Sequence, residues 1–175
     1  FIFIAGEEVY KAKKAVDFGF LDFTTLEKRK FYCEEELRLN RRLAPETYLG
    51  VVPIAEDDSG ALHLGPEGRI VDYAVRMKRL PRKRMLRRML AEGKVQPSVM
   101  DAIAAKLAGF HRQAETGGRI DEIGGVETIR RNHEENFAQT EAAVGVTIPR
   151  DRYDFIRAYV ADFLQRQEPL FRRRV

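Results

Sequence analysis

The order of local patterns along the chain places the strongest constraint on its fold. Before Pro81, short apolar segments of strand type alternate with glycine-containing turns, and one long helical pattern interrupts them. After Pro81, the only recurring pattern is helical. Strands that are segregated from helices in this way are typical of α+β folds and not of parallel, doubly wound sheets. We therefore predict an α+β chain, with an antiparallel sheet and one inserted helix over residues 1–80 and only helices over residues 81–175.

Five segments of the first 80 residues have the short apolar or alternating character of β-strands. In the second segment, Val9, Lys11, Lys13 and Ala15 share one face, because side chains alternate along a strand. Glycine-rich turns separate the segments and indicate hairpins. The predicted strands are residues 1–5, 9–16, 48–55, 61–64 and 70–77.

One long helix is predicted over residues 24–43, between the second and third strands. Thr24 precedes Glu27 by three residues, which is the spacing of a capping box. No glycine or proline follows until Pro45, which ends the pattern. Glu36 belongs to the predicted core-facing stripe and is expected at the edge of the buried face. The stripe consists of Tyr32, Glu36, Leu39 and Leu43.

The remaining residues predict further helices. Pro97 stands at an expected first helical position, and Gly117 with Gly118 interrupts the helical spacing that follows it. The predicted helical segments are residues 84–91, 97–114, 126–144 and 150–171.

Composition excludes several classes of protein. The 175 residues carry 31 basic and 27 acidic side chains, a net charge of +4, and 44% of them are hydrophobic, which is typical of globular domains. No apolar run approaches the roughly 20 residues that span a bilayer. The single cysteine, Cys33, excludes an internal disulfide framework, so a reducing, cytoplasmic setting is expected. Because the chain opens on the apolar residues Phe1–Ala5 without a methionine, we expect it to be a fragment.

Common catalytic and phosphate-binding motifs do not occur. There is no Gly-x-Gly-x-x-Gly sequence and no P-loop. His63, His111 and His133 lie too far apart for metal-ligand spacing, and a structural role is expected for His111. Cys33 is followed by an acidic run that raises a thiol pKa, so we do not expect a nucleophile there.

A strand lysine followed by a helix glutamate is the more informative arrangement. Lys11 lies in the middle of the second predicted strand, and Glu36 lies on the core-edge stripe of the predicted helix. An ion pair between them would fix the ammonium so that it could be presented to an anionic ligand such as a phosphate. The same spacing also fits an ordinary strand lysine and a solvated helix glutamate, which are common on α+β surfaces.

These segments resemble the aminoglycoside phosphotransferase family, and more narrowly a bacterial branch in which some members carry a downstream P-loop ATP-binding domain. The resemblance extends over nearly the whole chain and depends on the order of several short segments. They are Val9-Tyr10-Lys11, Phe18–Phe23, Cys33–Leu43, Glu46–Ile54, Tyr73–Pro81, Leu107–His111 and Glu135-Asn136-Phe137.

The resemblance implies a protein-kinase-like fold, with residues 1–80 as the N-lobe and residues 81–175 as a partial C-lobe. Lys11 matches the lysine that holds the α- and β-phosphates of ATP, and Val9 matches a small residue that lines the adenine pocket. Glu36, or alternatively Glu35, matches the glutamate that pairs with this lysine. Lys13 is a weaker rival to Lys11. Backbone groups of the matching hinge would meet adenine, and this hinge consists of Met77, Lys78 and Arg79.

Two departures from the family pattern limit the expected activity. The His-Gly-Asp catalytic loop and the later metal-binding aspartate do not occur in these residues, and neither does the phosphate-covering hairpin loop. We therefore expect the ATP-binding portion of an ATP-dependent phosphotransferase that acts on a small-molecule hydroxyl. Its Mg²⁺ ligands are expected outside this chain, and the piece is expected to be inactive alone. A nucleotide- or partner-binding pseudokinase is the alternative.

A second alternative comes from basic clusters. Such clusters are needed to neutralise nucleic-acid phosphates, but aromatic residues do not alternate with them here, and a solvated helix face fits them as well. A nucleic-acid-binding module therefore stays an open alternative. The basic residues are Arg82, Lys83, Arg84, Arg87, Arg88, Arg172, Arg173 and Arg174.

Overall fold

The computed structural model describes residues 1–175 and confirms the α+β class. All five predicted strands are present, and every regular element after the last strand is helical. The strands are β1 (Ile2–Ala5), β2 (Glu8–Ala12), β3 (Tyr48–Glu56), β4 (Leu62–Leu64) and β5 (Arg69–Lys78). The helices are α1 (Leu26–Arg41), α2 (Leu86–Ala91), α3 (Pro97–Arg112), α4 (Arg119–Gly124), α5 (Val126–Thr140) and α6 (Arg150–Arg173), with 3₁₀ turns at Arg82–Arg84 and Glu141–Ala143.

The sheet is antiparallel throughout, with the strand order β1-β2-β5-β3-β4. Strand β5 is central, and its Ala74 and Val75 are buried. The turn between β4 and β5 needs glycine at residue 68, where φ is +95° and an added Cβ would lie 2.5 Å from the Glu56 carbonyl oxygen. Because an L side chain rarely adopts this φ and would also clash here, Gly68 fixes the return of the chain into the centre of the sheet.

The N-cap of helix α1 lies one residue later than the sequence predicts. Thr25 is the N-cap, and its hydroxyl accepts a 3.2 Å hydrogen bond from the Lys28 N–H. The predicted cap, Thr24, is wrong, because its own N–H and hydroxyl donate to the Asp22 carboxylate at 2.9 and 2.6 Å. The competing acceptor at Asp22 therefore holds Thr24 in the preceding loop and moves the cap to the next residue.

The predicted core-facing stripe of α1 is also displaced. Leu39 is 40% exposed, whereas Cys33 is completely buried, with its Sγ 3.7 Å from the Tyr73 carbonyl oxygen. Arg29 is the one buried charged residue on the helix. The helix turns this side to the sheet because the Arg29 guanidinium finds acceptors on β5, so polar contacts compete with the apolar periodicity of the sequence.

The chain separates into two compact units, Phe1–Arg112 and Gln113–Val175. The first contains the sheet and α1–α3, and the second contains α4–α6. Helices α2 and α3 are thus grouped with the sheet, and a lobe division after residue 80 remains a prediction. In the second unit, α5 packs on α6 through Tyr153, whose hydroxyl donates a 2.7 Å hydrogen bond to the Phe137 carbonyl.

The helical segments agree with the predicted ones except in three respects. The segment predicted over residues 126–144 is a helix only to Thr140 and ends in a 3₁₀ turn. Helix α2 begins at Leu86, after a separate 3₁₀ turn. Helix α4 is not among the predicted helices. None of the helices has the length and apolar content that crossing a membrane requires.

Candidate functional site

Strand β2 places Lys11 in an apolar part of the sheet. Lys11 lies opposite Val75 on β5, and Val9 lies opposite Met77. Directly opposite residues of antiparallel strands share a face, so Lys11 and Val9 are on the same side as these two residues. The row at the level of Val9 crosses four strands and consists of Ile4, Val9, Met77 and Tyr48.

The predicted ion pair between the strand lysine and the helix glutamate is formed. The Lys11 ammonium donates to both oxygens of the Glu36 carboxylate, at 3.0 and 3.1 Å. The alternate partner, Glu35, instead forms a two-bond pair with Arg38, at 2.8 and 2.7 Å. Glu36 therefore joins α1 to β2, and Glu35 does not contribute to this contact.

Lys13 also contacts Glu36, at a shorter distance than Lys11. Its ammonium lies 2.7 Å from Glu36 Oε2, and its side chain is 9% exposed, against 42% for Lys11. The ring of Phe23 covers the Lys13 ammonium at 5.4 Å from the ring centroid. The sequence predicts Lys13 only as a rival to Lys11, whereas the structure brings both lysines to one carboxylate. Lys11 and Lys13 are two residues apart and therefore share a face of the strand, which is the sequence signal for this arrangement.

The charges at this site favour an ionised carboxylate. Burial alone would raise the pKa of Glu36, but hydrogen bonds from Lys13 and Lys11, together with their charges, lower it below its ordinary value. Two ammonium groups then face one carboxylate, so the cluster carries a surplus positive charge. The Lys11 side chain is the more exposed of the two cations, and it is the one available to an anion.

Cys33 lies three residues before Glu36 and has no nucleophilic character. Burial raises the pKa of its thiol to about 11. The direction agrees with the sequence prediction, but the main cause is different, because desolvation outweighs the acidic neighbours. At neutral pH the group is a protonated, buried thiol.

The residues matched to a hinge are the last two residues of β5 and the residue that follows them. Met77 is half-buried, and Lys78 and Arg79 are exposed. The Lys78 N–H donates to the Thr47 carbonyl, and the Arg79 N–H donates to the Glu7 carbonyl, both at 2.8 Å. These two donors are therefore engaged within the protein.

A buried arginine that the sequence did not reveal anchors α1 two turns before Glu36. Arg29 Nε donates to Asp72 at 2.7 Å, and its Nη2 donates to the Val71 carbonyl at 3.2 Å. Its Nη1 donates to the carbonyls of Phe23 and Thr24. This side chain ties the start of the helix to β5, which sets where Glu36 meets the lysines.

A second missed cluster joins β2 to β5. Tyr10 lies opposite Arg76 in the register, and both side chains bind the Glu8 carboxylate. The Tyr10 hydroxyl donates at 2.5 Å, and Arg76 Nε donates at 2.8 Å. Hydrogen bonds from Arg76 and Tyr10 lower the pKa of Glu8 to about 2. The cluster reinforces the strand pairing that positions Lys11.

No group of three or more histidine, cysteine, aspartate or glutamate side chains is arranged to hold a metal ion. His111, for which the sequence suggests a structural role, is exposed and contacts the ring of Phe110. The basic residues 82–84, 87 and 88 are also exposed.

Comparison with known proteins gives relatives but no function. The chain is 33% identical over 174 residues to an uncharacterized protein of Mycobacterium bovis and, to the same degree, to uncharacterized proteins from two strains of Mycobacterium tuberculosis. The match covers 99% of this chain and 33% of each relative, so the chain spans about a third of the length of the curated relatives it matches. No protein-family model and no solved structure matches the chain.

Proposed function

We propose that this chain forms the nucleotide-holding part of an ATP-dependent phosphotransferase with a protein-kinase-like fold. The acceptor in this proposal is a hydroxyl group of a small molecule. The observation that carries the proposal is the pair formed by the strand lysine Lys11 and the helix glutamate Glu36. Such a pair holds an ammonium in place for the phosphates of a nucleotide.

The two lysines have different parts in this proposal. Lys13 is nearly buried against Glu36 and Phe23, so it keeps the carboxylate ionised and fixed. Lys11 is 42% exposed and can turn its remaining N–H donors to phosphate oxygens without losing Glu36. Lys11 would thus hold the phosphates, and Lys13 would position Glu36.

The apolar row beside Lys11 would take the base. Val9 and Met77 are half-buried cross-strand neighbours on the face of Lys11, and they offer a flat apolar surface to adenine. Carbonyl groups of the segment 77–79 would accept from the adenine amine. No group of three or more histidine, cysteine, aspartate or glutamate side chains in this chain is arranged to hold a metal ion, so the Mg²⁺ of MgATP would need ligands from outside it.

Calorimetric titration of MgATP into the 175-residue chain tests this proposal. We expect Lys11→Met to weaken binding by at least about tenfold, which corresponds to ~1.4 kcal/mol, a typical contribution of a charged hydrogen bond. Lys14→Met removes the same charge three residues away, where the ammonium lies over Phe1 and not at Glu36. This control variant should bind within about twofold of the unaltered chain.

Two results of this titration have distinct meanings, and a phosphate-transfer assay separates the alternative. Equal losses in the Lys11 and Lys14 variants would refute the site, because net charge alone would then explain them. A larger loss for Lys13→Met than for Lys11→Met would move the phosphate contact to Lys13. A pseudokinase, the alternative, predicts ATP binding without phosphate transfer in the longer protein.

A further inference from the structure

An open cavity lies in the basic segment that follows the sheet. Its volume is about 410 Å³, and its walls are formed by Arg82, Met85, Arg87, Arg88 and Ala91. These residues belong to the first 3₁₀ turn and to α2, except Met85, which lies between the two elements. Three arginines therefore line one open cavity, together with a methionine and an alanine.

The guanidinium groups of this cavity are poorly neutralised. Arg88 donates to Glu92 at 2.6 Å, but Lys94 binds the same carboxylate at 2.7 Å. Arg82 and Arg87 form no ion pair. Arg82 and Arg87, which both line the cavity, are thus available to pair with an anion.

The composition of the wall indicates the kind of anion. A guanidinium presents N–H donors in a planar fork that matches two phosphate oxygens at once. No aromatic side chain lines the cavity, so it lacks the stacking surface that single-stranded nucleic acids use. Its volume is in the range of small-molecule sites. Met85 and Ala91 add an apolar wall against which a compact ligand can rest.

We propose that the cavity formed by Arg82, Met85, Arg87, Arg88 and Ala91 binds a small molecule that carries two or more phosphate groups. Arg82 and Arg87 are the principal anion contacts. This inference does not depend on the proposed ATP site, because none of its residues belongs to that site.

Calorimetric titration with inorganic tripolyphosphate tests the proposal. All variants carry Lys11→Met, so that the candidate site on β2 does not contribute. We expect the double variant Arg82→Ala/Arg87→Ala to weaken binding by about tenfold or more. The matched double variant Lys83→Ala/Arg84→Ala removes the same charge from two exposed residues of the neighbouring turn that do not line the cavity. It should change the affinity by less than about threefold.

A second readout gives the position of the ligand. The chain has four methionines, so methyl spectra are simple to assign. Tripolyphosphate should shift the methyl signal of Met85, which lines the cavity, and leave that of Met77 in place.

Several outcomes would overturn the proposal. Equal losses in the two double variants would show a diffuse effect of charge. An unmoved Met85 signal would place the ligand elsewhere. A single-stranded oligonucleotide could also bind more tightly than tripolyphosphate at equal phosphate concentration, and its binding could depend equally on Arg82, Lys83, Arg84 and Arg87. That result would identify an extended nucleic-acid-binding face instead.

Discussion

Among single residues, Glu8 has the clearest expected effect on how the stability of the fold depends on pH. Its carboxylate accepts from Tyr10 and Arg76, and these bonds lower its pKa from 4.5 to about 2. A carboxyl whose pKa is lower in the folded state contributes stability above its unfolded pKa. That contribution is lost as the pH falls through the folded value. The window of loss for Glu8 therefore extends from about pH 4.5 down to about pH 2.

We predict that Glu8→Gln lowers the urea midpoint near pH 7 and that this difference shrinks steadily as the pH approaches 2. The reason is that acid protonates Glu8 and removes the same charge as the substitution. Glu34→Gln is the control, because Glu34 is half-exposed and lies 3.9 Å from Lys30. It should have little effect at either pH. A Glu8→Gln difference that stays constant with pH would contradict the assignment.

The contact of Lys11 with Glu36 could be predicted, whereas the burial of Lys13 could not. The first follows from two local patterns, strand alternation and helix periodicity, each of which assigns a face. The second depends on Phe23, which reaches the Lys13 ammonium from a loop. Arg29 was missed for the same reason, because its acceptor Asp72 lies 43 residues away.

Among the elements, α1 is the one on which the site depends. Arg29 is 9% exposed and fixes the first half of this helix to β5, and Glu36 fixes the second half to β2 and to Lys13. Loss of the first anchor takes the charged partner from Asp72, whose side chain is 25% exposed, and a hydrogen-bond donor from three carbonyl groups, which is costly.

We predict that Arg29→Met lowers the free energy of unfolding by about 2–3 kcal/mol. Lys30→Met is the matched control on the next residue. Lys30 is 49% exposed and contacts Glu34 and the Tyr73 ring only loosely, so it should cost less than about 1 kcal/mol. Urea unfolding followed by circular dichroism measures both. Similar losses in the two variants would show that Arg29 is not an anchor.

The elements themselves were largely predictable, and their ends were not. All five strands follow from short apolar runs between glycine turns, but β2 ends at Ala12, four residues before its predicted end. The cap at Thr25 in place of Thr24 was decided by the Asp22 carboxylate. A sequence pattern does not predict which of two neighbouring residues wins such a competition for a hydrogen-bond partner.

On the scale of the whole molecule, the apolar edge of the sheet is prominent. Strand β1 is exposed on both faces, with exposures of 57–67% from Phe1 to Ile4, and its outer edge has no neighbouring strand. An exposed apolar edge strand is a template for pairing with another chain. The α+β class followed from element order, but this exposure did not, because it depends on which strand occupies the edge.

We predict that the chain associates in a concentration-dependent manner and that Phe3→Lys reduces this association, because a charged edge opposes strand pairing. Phe3 lies on the face opposite to Lys11, so the candidate site is undisturbed. Leu62→Lys on the other edge strand, β4, is the control, since Leu62 is 66% exposed. Light scattering gives the mass. A monomer at all concentrations, or an equal effect of both variants, would contradict the prediction.

The burial of Cys33 has a practical consequence. The thiol is the single one in the chain, it has no access to solvent, and its pKa near 11 keeps it protonated. A thiol-modifying reagent can reach it only during the brief moments when α1 lifts away from β5. The modification rate would therefore report how often this helix opens, and a ligand bound by Lys11, which is paired with Glu36 on α1, would slow it.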